Sequence, residues 1–164
     1  VAQNHPNQKV GLIGTKRTVR SNIYKSKIDA TQSAIELVSV ATPLLAPMIE
    51  EGFFKNEISH QIIAKYLDNE ELTQLDALIL GCTHYPLIKH DIASFYKEEE
   101  VEVIDSSEIV ADYLKIQLAE KDLLADRLEN KHHFFVSDFT NSFQKATEQF
   151  FGEKIILERY KLWE

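Results

Sequence analysis

Short apolar runs alternate along the chain with longer stretches in which apolar residues recur every three or four positions. The first pattern is typical of buried strands and the second of amphipathic helices. Strands are predicted at residues 9–15, 35–40, 76–80 and 100–104. Helices are predicted at residues 17–30, 43–51, 57–67, 84–95 and 106–118. This alternation predicts an α/β fold with a parallel sheet that helices cover on both faces.

Two of the predicted helices carry further local signals. In the helix at residues 57–67, Ile58, Ile62, Ile63 and Tyr66 are expected to share one buried face. Gly52 is expected to close the helix at residues 43–51, because glycine is the residue most often found just past a helix end.

The last part of the chain is less regular. A strand at residues 132–136, a helix at residues 138–151 and a last strand at residues 155–157 are predicted. Residues 120–131 are charged and weakly patterned, so they are predicted to form a flexible linker or an extended surface helix.

Composition narrows the class of protein. With 164 residues, 44% of them hydrophobic and 27% charged, the chain has the composition of a globular protein with one domain or slightly more. It has no apolar run as long as a membrane span and no signal peptide, so a cytoplasmic location is expected. The formal net charge of −8 and the lack of a basic stripe argue against a nucleic-acid partner.

The single cysteine, Cys82, is the first candidate for chemistry. Because the chain has no second cysteine, an intrachain disulfide cannot form. Free cysteines are more often inert and buried than reactive. Cys82 follows the strand at residues 76–80 and precedes a predicted helix, where unpaired N–H groups and the helix dipole favour a thiolate. Thr83 can cap that helix and hold an anion, and His84 can assist proton transfer. An inert and a reactive thiol both remain open on this pattern.

Glu50 is the second candidate, because a carboxylate directly after an apolar run can be drawn inward and partly desolvated, which raises its pKa. A solvated helix end explains it equally simply, and the residues alone favour that alternative. Thr15 and Thr18 form a hydroxyl cluster after the first strand, where capping explains most such residues. Since ligands bind beyond the carboxyl ends of parallel strands, Thr15 and Cys82 are expected to face one cleft.

A metal site is not predicted. Four other histidines have no spacing that would bring them together as ligands: His60, His90, His132 and His133.

Residues 78–87, Leu-Ile-Leu-Gly-Cys-Thr-His-Tyr-Pro-Leu, resemble the second catalytic motif of bacterial glutamate racemases, within the aspartate/glutamate racemase superfamily. Residues 10–15 look like the strand that opens the second domain of those enzymes, and residues 41–52 resemble the stretch that carries their glutamate. Residues 104–106 look like the segment that crosses back into their first domain. The resemblance covers the chain from about Val10 to Phe151.

The resemblance implies a parallel-sheet sandwich domain of the racemase type at residues 8–103. Residues 104–164 would return to another domain, which this chain contains only in part. The Asp-Ser-Gly and Cys-Asn-Thr motifs of the family's first domain are absent from the sequence. The chain is therefore expected to be the C-terminal part of a protein longer by roughly 100 residues. Thr42 replaces a cysteine that the family has before a proline.

The resemblance also implies an activity, namely cofactor-independent interconversion of L- and D-glutamate for peptidoglycan synthesis. Two cysteines on opposite sides of the substrate would exchange its α-proton, with Cys82 as the base toward L-glutamate. His84 and Glu50 would assist that transfer. Thr83, His84, Thr15 and Thr18 would bind substrate. With only one of the two thiols, the isolated chain is predicted to be inactive, and a homodimer is expected to be possible.

Three alternatives remain open. The nearest is a racemase of another small acid, such as aspartate or hydantoin. A second is a Cys-His-Glu acyl-transfer enzyme such as a glutaminase, although its usual Gly-x-Cys-x-Gly elbow would need a second glycine near His84. The third is an inert binding module.

Overall fold

A four-stranded parallel sheet is the main architectural feature of the computed structural model, which describes residues 1–125 and 132–161. The strand order is β2-β1-β3-β4, and every neighbouring pair is parallel. The strands are β1 (Lys9–Gly14), β2 (Glu36–Ala41), β3 (Ala77–Gly81) and β4 (Glu102–Asp105). The predicted α/β class and the parallel sheet are confirmed, with strand ends displaced by one or two residues.

Helices connect and follow these strands. They are α1 (Lys16–Arg20), α2 (Ile23–Asp29), α3 (Leu45–Glu50), α4 (Glu57–Leu67), α5 (Lys89–Phe95), α6 (Ser106–Glu120) and α7 (Asn141–Phe151). Short 3-10 helices lie at Glu70–Leu72 and Tyr85–Ile88. A separate parallel pair joins β5 (Phe134–Val136) to β6 (Leu157–Arg159). Of the predicted linker at residues 120–131, residues 126–131 lie outside the described residues.

Alternate residues of the strands point into two apolar clusters. On one face Ile13, Leu78 and Leu80 pack against residues of α3, α4 and α5. On the other face a smaller cluster forms around Val10, Leu12, Ala77, Ile79 and Ile104, with Tyr24 and Leu37 packed against it. The period of two along each strand thus fills both faces of the sheet, as the hydrophobic runs predicted.

The single helix predicted at residues 17–30 is wrong, because the structure has two helices there. Asn22 adopts a left-handed conformation with φ of 52° and separates α1 from α2. Asparagine tolerates this conformation better than most residues. The Ser21 hydroxyl donates to the Thr18 carbonyl and accepts from the Ile23 N–H, so side-chain hydrogen bonds replace the helical ones at the break.

The helix predicted at residues 84–95 is also partly wrong. A 3-10 helix with Pro86 in its first turn comes first, and α5 begins only at Lys89. Ile88 interrupts the helical backbone with φ of −114° and ψ of 14°. Cys82 therefore does not lie at the first turn of an α-helix, and the helix-dipole argument for its thiolate does not apply.

The helix end predicted at Gly52 is confirmed, whereas the buried face predicted for α4 is partly wrong. Gly52 closes α3 as predicted: its φ is 70°, its N–H donates to the Ile49 carbonyl, and the Phe53 N–H donates to the Met48 carbonyl. The helix at residues 57–67 is confirmed, but its expected buried face is wrong for Ile58, which is 57% exposed. The face of α4 that is buried carries Ser59, Ile63 and Leu67 at helical spacing.

Tyr96 is buried, yet its hydroxyl has no hydrogen-bond partner among the described residues. Burial, and to a lesser extent the charge of Glu99, raises the pKa of Tyr96 from 10.0 to about 12. The folded protein therefore keeps a proton that the unfolded chain loses above pH 10. The stability that this proton contributes is complete below pH 10 and is lost as the pH rises through 12.

We expect Tyr96→Phe to reduce the alkaline loss of stability between pH 10 and 12 by on the order of 3 kcal/mol. At pH 7 the same substitution should be neutral or slightly stabilising, because it removes an unpaired buried hydroxyl. Urea unfolding at several pH values, followed by circular dichroism, measures both effects. An unchanged alkaline loss in the variant would contradict the expectation.

Candidate active site at the carboxyl ends of the strands

Three parallel strands end side by side at one edge of the sheet. In the pairing register Gly14 lies opposite both Ala41 and Gly81. The residues that follow these strand ends, Thr15, Thr42 and Cys82, consequently emerge at the same edge. The register places Thr15 and Cys82 at one edge of the sheet; that they face one cleft stays a prediction.

Two glycines allow a close approach at this edge. A Cβ on Gly14 would lie 3.2 Å from both the Gly81 carbonyl oxygen and Thr18 Cβ. A Cβ on Gly81 would lie 2.9 Å from the Ile13 carbonyl oxygen. The absence of side chains at both positions lets Thr18 pack directly against the residue that precedes Cys82.

His84 contacts both Cys82 and Glu50. Its Nδ1 lies 3.6 Å from Cys82 Sγ, and its Nε2 lies 3.1 Å from Glu50 Oε1. A neutral imidazole that donates its Nε2 proton to the carboxylate presents the lone pair of Nδ1 to the thiol. The arrangement can therefore take a proton from Cys82 and return it, with Glu50 fixing the orientation of the ring.

The structure brings together all three residues that the sequence proposed for catalysis. Glu50 is 57% exposed, because it is the last residue of α3 and lies at the surface. The solvated helix end that the residues alone favoured is thus observed, and the alternative of a desolvated carboxylate is not. The His84 side chain is 37% exposed, and Cys82 is half-buried. Glu50 thus approaches His84 from the solvent side.

A cavity of about 800 Å³ opens beside this trio. Glu50, Thr83 and His84 form a polar part of its wall, and aromatic residues between Phe134 and Phe151 form much of the rest. Within the described part of the chain, Cys82, Thr15 and Thr18 are not among the residues that line it. Thr83 is exposed and available to a ligand.

Thr15 and Thr18 are hydrogen-bonded to each other. Their hydroxyls lie 3.0 Å apart, and Thr15 Oγ1 accepts the Thr18 N–H as the N-cap of α1. Capping, the simple interpretation, is thus observed. Each hydroxyl retains further hydrogen-bonding capacity, so their predicted role in substrate binding stays a prediction.

Sequence reasoning missed a buried pair at the same edge, Thr42 and Tyr85. Both side chains are fully buried, and their hydroxyl oxygens are 2.6 Å apart. The sequence shows Thr42 shortly after the strand predicted at residues 35–40, and it shows Tyr85 within the motif at residues 78–87. Nothing in a single sequence could pair two residues separated by 43 positions.

Residues 1–125 and 132–161 contain no candidate metal site and no candidate membrane span. Within these ranges no group of three or more His, Cys, Asp or Glu side chains is arranged to hold a metal ion. In the same ranges no helix has the length and apolar character needed to cross a membrane.

Comparison with known proteins gives a consistent result. The protein-family profile described as Asp/Glu/Hydantoin racemase matches residues 1–114. A glutamate racemase of Geobacter metallireducens is 38% identical over 148 residues, which cover 90% of this chain and 54% of the relative. One from Thermoanaerobacter sp. (strain X514) is 37% identical over 91% of this chain and 56% of the relative. The chain therefore spans just over half the length of these relatives.

Solved structures show the same fold. Glutamate racemase from Francisella tularensis, in complex with D-glutamate, matches with a TM-score of 0.82 and 34% identity over 93% of this chain and 57% of that one. Glutamate racemase isoform RacE1 from Bacillus anthracis matches with a TM-score of 0.83 and 32% identity over 98% and 60%. With a profile match over residues 1–114 and a shared fold, the chain belongs to the Asp/Glu/Hydantoin racemase family.

Proposed function

We propose that this chain is part of a glutamate racemase, an isomerase that interconverts L- and D-glutamate with side chains alone and without a cofactor. The observation that carries the proposal is the contact of His84 with both Cys82 and Glu50 at the carboxyl edge of the sheet. The relatives with 37–38% identity that bear the name glutamate racemase support the choice of substrate.

In the proposed reaction the Cys82 thiol first gives its proton to His84 Nδ1. The resulting thiolate removes the α-proton of L-glutamate, which forms the S–H bond and leaves a carbanion at Cα. A second thiol, outside this chain, protonates the opposite face and yields D-glutamate. In the reverse direction Cys82 donates the proton. Positioned acid–base groups of this kind contribute roughly 10²- to 10⁴-fold each.

The other residues of the site would hold the substrate and the histidine. Thr83, an exposed residue of the cavity wall, would bind the substrate carboxylate. Thr15 and Thr18 would add hydrogen bonds from the neighbouring strand end. Glu50 would keep the Nε2 proton of His84 in place.

We also infer that residues 8–103 form one domain and that residues 104–164 belong to a second domain completed by further chain. Among the described residues β5 and β6 form a sheet of two strands, and such a pair is marginally stable without additional packing. Helix α6 exposes large apolar side chains on one face, which a completing segment would bury: Ile109, Val110, Tyr113, Leu114 and Ile116.

The wider role is part of the same proposal. We infer that the D-glutamate supplies peptidoglycan synthesis in a bacterial cytoplasm, and that the completed enzyme can form a homodimer. The relatives reported above are bacterial proteins, which supports the first inference.

A fusion of this chain to the unmatched part of the Geobacter metallireducens relative tests the activity. We expect the fusion to racemise L-glutamate, measured by circular dichroism, and the isolated chain not to do so. For aspartate, one methylene shorter, we expect kcat/KM to be lower by at least about tenfold. The unmatched part expressed alone is the control.

Two outcomes would overturn the proposal. A folded fusion that racemises aspartate or a hydantoin but not glutamate would assign the site to another substrate of the family. A covalent acyl adduct on Cys82 after incubation with glutamine, detected by mass spectrometry, would favour acyl transfer. The geometry of Cys82, His84 and Glu50 is also that of a thiol nucleophile, which makes this second outcome a specific alternative.

A further inference from the structure

The buried Thr42–Tyr85 pair lies at the same sheet edge as the proposed site. The Tyr85 hydroxyl is 2.6 Å from Thr42 Oγ1 and 3.2 Å from the Thr42 carbonyl oxygen. The Thr42 N–H donates to the Gly14 carbonyl at 2.8 Å. The Thr42 hydroxyl also lies 3.3 Å from the Gly14 carbonyl oxygen. Tyr85 therefore joins the segment after β3 to Thr42, and Thr42 joins the segment after β2 to the end of β1.

Each member of the pair is close to a different part of the site. The Thr42 carbonyl accepts the Leu45 N–H at the start of α3, the helix that ends at Glu50. The Tyr85 N–H donates to the Cys82 carbonyl and closes the turn that also carries His84. The pair thus connects the element that bears the carboxylate to the turn that bears the thiol and the imidazole.

The contact between His84 and Glu50 has little power to fix its own geometry. Both side chains are partly exposed, at 37% and 57%. Even a fully charged pair contributes only about 0–1 kcal/mol when it is exposed. A buried, fully packed hydrogen bond is better able to set the distance between the two elements, because breaking it leaves a polar group without water.

We propose that Thr42 and Tyr85 are positioning residues of the active site: their buried hydrogen bond sets how Glu50 meets His84, and so how His84 faces Cys82. The inference rests on the proposed function, since it assigns to the pair a role in the proton transfer of Cys82.

The protonation of Tyr85 suits this role. Burial raises the pKa of Tyr85 to about 12; the hydrogen bond with Thr42 partly opposes this effect, and the charge of Cys82 adds to it. The phenol consequently remains protonated over the pH range in which a thiol ionises, so the hydrogen bond persists when Cys82 becomes a thiolate.

A double-mutant cycle on the full 164-residue chain tests the inference without requiring racemisation. Cys82 is the sole cysteine, so the rate of alkylation by iodoacetamide, followed by mass spectrometry, reports on that thiol alone. We expect Glu50→Gln to slow alkylation about three- to tenfold in the otherwise unchanged chain. In the Thr42→Val background the same substitution should have almost no effect, and in the Thr42→Ser background its effect should return.

Two further variants complete the design. Tyr85→Phe keeps the ring and removes the hydroxyl, so it should abolish the Glu50→Gln effect and replaces Thr42→Val if that variant does not fold. Tyr96→Phe removes a buried tyrosine hydroxyl elsewhere in the core and should leave the Glu50→Gln effect intact.

The outcomes separate this inference from the proposed function. An equal Glu50→Gln effect with and without the Thr42 hydroxyl overturns the positioning role and leaves the assignment of Cys82, His84 and Glu50 standing. No Glu50→Gln effect in the unchanged chain overturns both. A positive cycle together with a fusion that cannot racemise glutamate supports the positioning role and rejects the proposed substrate.

Discussion

Cys82→Ser is expected to lower glutamate racemisation by the fusion enzyme about a thousandfold. A serine hydroxyl has nearly the size of the thiol but is far less acidic, so it cannot form the base that removes the α-proton at neutral pH. His84 remains able to contact Glu50 at 3.1 Å, so the surrounding geometry is kept. Polarimetric assays of both enantiomers measure the loss.

Exchange of the α-proton in D₂O shows which enantiomer gives its proton to Cys82. With Cys82 removed, the thiol on the other face can still take the α-proton of D-glutamate and return a deuteron to the same face. D-glutamate should therefore exchange without inversion, while L-glutamate should neither exchange nor invert. Equal exchange of the two enantiomers in the variant would contradict the assignment of Cys82 to L-glutamate.

Gly81→Ala adds a single methyl group and is expected to lower the free energy of unfolding by about 2 kcal/mol. The added Cβ would lie 2.9 Å from the Ile13 carbonyl oxygen. That carbonyl belongs to β1, which pairs with strands on both sides and cannot move away. The gain of roughly 0.5–1 kcal/mol from replacing glycine in a strand is too small to offset the clash.

Gly11→Ala in the same strand pair is the matched control. Its Cβ would approach the Cδ1 atoms of Leu75 and Leu78, at 2.7 and 2.8 Å, and the ends of side chains can shift more easily than backbone. We expect a loss of no more than about 1 kcal/mol there. Urea unfolding of both variants, followed by circular dichroism, measures the difference, and equal losses would show that the Ile13 carbonyl is not the cause.

The sequence was sufficient where the determining interactions are local. Ile13 and Leu80 lie on one face of the sheet, and their chain neighbours Leu12 and Ile79 lie on the other. This period of two is a property of each strand, so the sheet was predictable from the sequence. Gly52 closes α3 as expected, because its φ of 70° is a property of one residue and its immediate neighbours. The order of residues around Cys82 also sufficed to indicate the family.

Local patterns did not predict the helix breaks, where side-chain and backbone groups compete for the same hydrogen bonds. A continuous helical pattern across Asn22 did not show that its backbone would adopt φ of 52° and break the helix. The backbone at Ile88 likewise separates a 3-10 helix from α5, a difference too small for apolar spacing to reveal. Helix ends and breaks depend on individual hydrogen bonds rather than on periodicity.

By itself, then, the sequence determined the class of fold, the strand-end position of Cys82 and the family that its motif resembles. Only the tertiary structure decided that Glu50 meets His84 while remaining exposed, and that Thr42 and Tyr85 share a buried hydrogen bond. The physical reason is distance along the chain. Periodicity and turn chemistry act over a few residues, whereas these contacts join segments that meet only when the parallel strands have aligned their ends.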